Sequence, residues 1–189
     1  MARRNTGLTT TKLFSQLRQV HTFCVMRDVD GALWATDKLW MVKVLPAQEK
    51  LLNALLADYN LPLEPMVCEV GRTLRRIEAK PPELAPILKG IPKKAPALIR
   101  HSVGGFPIFI RTDGTRWAGV WTADDHAVTL DAEKVTFVED LAGPGEWFSG
   151  GNSLSPCSLR QGRDVVALLM PIRGLTDLTV LTQPREVAA

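Results

Sequence analysis

Two stretches of the chain show the same order of periodicities, an apolar helical arc followed by short extended runs. That order points to helices laid on antiparallel sheets, an α+β protein. In the first stretch, residues 10–20 place Leu13, Phe14, Leu17 and Val20 on one arc, and Lys12, Ser15, Gln16, Arg18 and Gln19 on the other. The polar arc is basic, without one acid, and Thr9, Thr10 and Thr11 offer hydroxyls to cap the first free N–H groups. Extended runs follow at His21–Arg27, Leu33–Ala35 and Leu39–Leu45. They are separated by the turn residues Asp28-Val29-Asp30-Gly31 and by the short polar break Thr36-Asp37-Lys38.

The second stretch begins with a helix predicted over Leu130–Leu141, closed by Gly143-Pro144-Gly145. Strands are expected at Trp147–Phe148, Pro156–Arg160 and Asp164–Ile172. Between the two stretches, residues 47–59 have helical spacing through Leu51, Leu52, Leu55 and Leu56, behind Pro46, and Met66–Val70 reads as a strand. Six prolines from Pro81 to Pro107 break the pattern, so this part is expected to be an irregular connector with one helical turn at Glu83–Leu88. Asp113-Gly114 between Phe106–Arg111 and Trp117–Thr122 predicts a hairpin.

At 189 residues and 46% hydrophobic content the chain can bury a substantial core, as one large domain or two small ones. Lys and Arg number 23 against 20 acids, a net charge of +3 that is far below what a dedicated nucleic-acid binder usually carries, so any contact with DNA is expected to be local. Cys24, Cys68 and Cys157 are widely spaced, odd in number and without a Cys-x-x-Cys pair, which reads as buried reduced thiols. No apolar run has the length of a signal peptide or a membrane span, so a soluble, cytoplasmic protein is expected.

Signatures of chemistry are sparse. His21, His101 and His126 lie far apart, without i, i+4 ligand spacing, and no metal or cofactor is expected. Asp28 and Asp30 lack the downstream acids of a calcium loop, and Ser149-Gly150-Gly151-Asn152-Ser153 lacks the Lys-Ser/Thr ending of a phosphate cradle. The five tryptophans could stack bases, but at strand positions core packing is the simpler reading. No Ser, Cys or Asp sits in a recognisable activated setting, so no residue is expected to be catalytic and the protein is not expected to be an enzyme.

Two segments carry a more specific resemblance. Ala35-Thr36-Asp37-Lys38-Leu39, between two strand-like runs, and Val166-Ala167-Leu168-Leu169-Met170-Pro171-Ile172-Arg173 resemble the segments that wall the partner-peptide pocket of the bacterial β sliding clamp. Residues 10–45, 128–142 and 155–173 are similar to clamp sequence, roughly a third of the protein. Taken alone, Val165–Ile172 also reads as an internal strand and Thr36-Asp37 as an ordinary turn.

The resemblance implies a clamp-like fold of helix-strand-strand-strand repeats, with helices on one face of the sheets. The N-terminal half would span 1–90, a connector 91–112, the C-terminal half 113–173 and a tail 174–189; alternatively the chain is one domain with an insertion at about 46–115. It also implies a DNA-tethering processivity factor of reduced, phage-like size, working as a homo-oligomeric ring on duplex DNA with a DNA polymerase or another clamp-binding protein as partner. Thr36, Leu39, Leu168, Met170, Pro171, Ile172 and Arg173 would form the pocket, and Lys12 and Arg18 would face phosphate.

Four features depart from the family pattern. Lys38 stands where clamps carry Gly, and sixteen residues, Gly174–Ala189, continue beyond the Met-Pro-x-Arg segment. The second helix carries Glu133, Glu139 and Asp140, which repel phosphates. The chain is also about half a clamp's length, so a ring needs three copies, or six for a single domain. The rival reading is an adaptor or inhibitor that does not encircle DNA and binds a host protein.

Overall fold

A computed structural model describes residues 9–17, 21–100, 102–103, 106–107, 109–112, 116–123 and 126–172, with side chains from 101 to 117 outside the description. Residues 1–8, 18–20 and 173–189 also lie outside it, and with them Arg18 and Arg173. The first helix, α1 (Thr10–Leu17), precedes the strands β1 (Thr22–Arg27), β2 (Leu33–Thr36) and β3 (Trp40–Lys43). Helix α2 (Pro46–Ala57), β4 (Met66–Val70), β5 (Leu74–Ile77) and the short helix α3 (Leu84–Lys89) follow. Next come β6 (Ile99–Arg100), β7 (Ser102–Val103), β8 (Phe106–Pro107), β9 (Phe109–Thr112), β10 (Arg116–Thr122) and β11 (Ala127–Asp131). Helix α4 (Ala132–Ala142) then leads into β12 (Glu146–Phe148), β13 (Cys157–Gln161) and β14 (Asp164–Leu169).

Eight of these strands form one antiparallel sheet in the order β12-β13-β14-β3-β2-β1-β4-β5. Six of the eight strands form two three-stranded meanders, β1-β2-β3 and β12-β13-β14, each preceded by a helix. Their third strands pair through Ala167↔Val42, Leu168↔Met41 and Leu169↔Trp40. Strands from residues 1–90 and from 113–173 therefore share one sheet, and β4 and β5 extend it within residues 46–115. A smaller sheet, β11-β10-β6 with β9 also on β10, includes the expected hairpin. β7 and β8 pair separately.

Alternation along the strands sends apolar side chains to both faces of the large sheet. Phe23, Val25, Leu33, Ala35, Trp40, Val42, Ala167 and Leu169 join the main core with Leu13 and Leu17 of α1, Leu52, Leu55 and Leu56 of α2, and Val135, Val138 and Leu141 of α4. The rings of Trp40 and Phe137 meet edge to face at 5.1 Å. Each large side chain fully buried here contributes about 1.5–3 kcal/mol relative to an exposed one. Met26, Trp34, Met41 and Leu168 point the other way and pack with Leu84, Leu88 and Ile91 on and beside α3. The sheet thus has helices on both faces, which corrects the one-face expectation. The proline-rich connector supplies the extra cover, since Arg160 donates to the carbonyls of Pro92 and Lys93 at 2.6 and 3.1 Å and pins it there.

Two element boundaries also differ from expectation. Leu130 and Asp131 end β11 rather than starting the second helix, because Leu130 pairs with Gly119 and Asp131 caps α4, accepting from the N–H groups of Glu133 and Lys134. Leu39 belongs to the turn before β3, not to the strand.

Candidate functional site

The turn from Thr36 to Trp40 is held by its own side chains. Thr36 Oγ1 donates to the carbonyl of Trp40 at 2.6 Å and accepts from the N–H of Lys38 at 3.1 Å. Asp37 Oδ1 accepts from the N–H groups of Leu39 and Trp40 at 2.8 and 2.9 Å. This wiring forces Lys38 to φ +76°, the left-handed backbone that favours glycine. Lys38 thus carries the strain of a turn that its neighbours' hydrogen bonds fix.

Beneath the turn lies a buried ion pair that sequence reasoning missed. Asp37 is 3% exposed and Lys134 of α4 is 4% exposed, with Oδ2 and Nζ 3.7 Å apart. Neither atom has a hydrogen-bond partner among the described residues, so the ammonium faces the carboxylate directly, while the carboxylate is also held through Oδ1 by the Leu39 and Trp40 N–H groups. Burial pushes the Asp37 carboxyl above its ordinary range, against the pull of the Trp40 N–H and the Lys134 ammonium. The second helix therefore reaches across the β3–β14 seam and anchors the first meander's turn.

On the α3 face, this turn and the end of β14 border one cavity of about 590 Å³. The two segments touch directly, because Met170 N–H donates to the Leu39 carbonyl at 2.8 Å. Met41, Val67, Leu168 and Met170 are among its apolar lining, and Ile77 and Ile87 line it from β5 and α3. Leu39, Ile77 and Ile87 remain 42%, 39% and 37% exposed, an apolar opening where a folded chain usually presents polar groups. Among the described residues, the charged lining side chains are Lys38 and Lys80, and no carboxylate lines the cavity. Cys24 also lines it, with its thiol pushed up by burial against the opposing pull of Lys38.

Of the residues expected to form a pocket, Thr36, Leu39, Leu168 and Met170 line this cavity. Pro171 and Ile172 do not: the chain has turned towards the small sheet, where Ile172 N–H donates to the Thr129 carbonyl at 2.8 Å. The far wall, from Ile77 through Lys80 and Pro82 to Ile87, comes from the end of β5, the segment after it and α3. Only a β-strand at Leu74–Ile77 could have announced it, and that strand is masked in sequence by Arg75 and Arg76.

On the opposite, helix-covered side, Lys12 sits in a shallow cleft between α1 and α4 that it shares with Gln16, Glu133, Thr136 and Asp140. One cation thus stands beside two carboxylates. Elsewhere, His126 Nε2 and Ser149 Oγ lie 2.6 Å apart, but Ser149 is 1% exposed and also accepts from the N–H of Gly151, so the pair closes a loop rather than presenting a nucleophile. Asp28 accepts from the N–H groups of Asp30 and Ala32 and from the Trp34 indole, which makes it a turn organiser. Among the described residues, no three His, Cys, Asp or Glu side chains cluster as metal ligands, and no helix is long and apolar enough to cross a membrane. No family model, curated protein or solved structure matches this chain.

Proposed function

We propose that the protein is a clamp-like tethering factor that captures a short linear peptide of a DNA-processing partner in the cavity on the α3 face. The observation that carries this reading is the contact of the Thr36–Trp40 turn with the end of β14 as adjoining walls of one apolar cavity. Such a site accepts one or two large partner side chains, while backbone groups at its edge set the register. Met41 and Met170 add adaptability, because an unbranched thioether fits varied shapes at low strain. The recurrence of helix and three-stranded meander, joined at β3 and β14, further supports a clamp-like half-repeat. α1 and α4 lie together on the opposite face, where a DNA-encircling ring needs its helices.

The test is capture of a synthetic clamp-binding peptide, measured by fluorescence anisotropy. Met170→Asp should weaken it at least tenfold while circular dichroism stays nearly unchanged, and unchanged affinity refutes the assignment. The adaptor that does not encircle DNA is the second reading, favoured by Glu133 and Asp140 beside Lys12, because those carboxylates repel phosphate. Solution mass separates the two, a trimer or hexamer for a ring and a monomer or dimer for the adaptor.

A further inference from the structure

The apolar opening of the cavity needs an occupant, and the chain carries a suitable one. Residues 174–182 read Gly-Leu-Thr-Asp-Leu-Thr-Val-Leu-Thr, with Leu175, Leu178, Val180 and Leu181 as aliphatic side chains and Asp177 as the one charge. No Lys or Arg occurs between Arg173 and Arg185. The cavity presents the complement, exposed Leu39, Ile77 and Ile87 with Lys38 and Lys80 and no carboxylate among its described lining residues. The described chain ends at Ile172, two residues after the lining residue Met170. Six further residues span up to about 20 Å, enough to bring Leu178 back over the opening.

Resting on the peptide-capture reading, we infer that residues 174–182 are the resident ligand of this cavity, held in cis, and that a partner peptide must displace them. Tethering sets their effective concentration near the millimolar range, so even weak intrinsic affinity keeps the cavity occupied. A partner then binds only to the fraction of molecules whose segment is released, and its apparent affinity falls by that fraction.

The experiment uses the full-length chain and two fluorescein-labelled peptides, one with the sequence of residues 174–183 and one a clamp-binding peptide. Leu178→Asp with Leu181→Asp should raise affinity for both peptides at least tenfold over the unaltered chain. Asp177→Lys is the milder second variant and should shift affinity in the same direction. Adding Lys38→Glu and Lys80→Glu, both at exposed positions, should remove the gain for the 174–183 peptide, and a labelled peptide carrying Lys in place of Asp177 should restore it. Equal affinity of the unaltered chain and the tail variants for the clamp-binding peptide overturns the inference and leaves the capture reading standing. Failure of every chain to bind either peptide overturns both. Concentration-dependent dimerisation that the tail substitutions abolish overturns the intrachain form, because the segment then sits in a neighbour's cavity.

Discussion

The two faces of the large sheet are built from alternate residues of the same strands, yet they end in different states. On one face, Val25, Ala35, Val42 and Leu169 are sealed under α1, α2 and α4. On the other, Met41 and Leu168 are buried from below but open into a cavity whose upper wall is a proline-rich strap with one short helix. A strap with few repeating hydrogen bonds cannot seal a sheet as a helix layer does. The comparison teaches that closure here depends on the covering element, since the strands offer apolar side chains to both sides.

The largest expected effect lies at the joint between the faces. Asp37→Ala should destabilise the fold by about 3–5 kcal/mol, because it strands the Lys134 ammonium in a buried site. Urea denaturation measures the loss, and adding Lys134→Met should recover the part due to the stranded ammonium, leaving the cost of the two turn hydrogen bonds that Asp37 Oδ1 accepts. A small effect of the single change, or no recovery in the double, breaks the idea that α4 holds the turn through charge.

Truncation on the two faces sharpens the contrast. Leu169→Ala, on the sealed face, should cost about 2–4 kcal/mol, as removal of a fully buried leucine does. Ile77→Ala, at the opening, should cost under about 1 kcal/mol by the same denaturation series, since its side chain is already partly in water. Equal costs would mean that the cavity is closed in solution. Similar in size but opposite in sign, Lys38→Gly should raise stability by up to about 1 kcal/mol by relieving the φ +76° backbone; a loss instead would show that the lysine side chain holds the turn.

The finest comparison uses the cysteines. Burial raises all three thiols, Cys68 to about 11 and Cys157 to about 12, so each should alkylate more slowly at pH 8 than a free thiol. Cys24 faces the cavity while Cys68 and Cys157 lie in the sealed core. Iodoacetamide followed by mass spectrometry should therefore modify Cys24 first. A different order contradicts the assignment of open and closed faces.

Much of the fold was legible from periodicity. The helix and three strands at the start, the helix behind Pro46, the strand at Met66–Val70 and the closing strand series all follow from local spacing and turn residues, which act on near neighbours. β5 escaped because an edge strand tolerates charge, so Leu74-Arg75-Arg76-Ile77 lacks apolar alternation. β11 was absorbed into the helix because Leu130 continues its apolar spacing across the strand-to-helix junction. The Asp37–Lys134 pair was beyond reach, since it depends on the pairing of β3 with β14 and no local pattern announces that. One side of the cavity could be read from two sequence segments, while its other side lay in a connector whose prolines carry no periodicity.

β14 carries one residue more than its partner between the pairs Leu159↔Ala167 and Arg160↔Val165, so Val166 is a bulge and both it and Ala167 turn to the helices. Were the added residue kept but the bulge flattened into strict alternation from Val165 onward, Leu168 and Met170 would aim at the helical layer and Ala167 and Leu169 would turn outward. The bulge thus absorbs one residue without changing which face the rest of β14 presents, and a single-codon deletion at Val166 would leave the leucine and thioether wall in place at the cost of one valine under the helices.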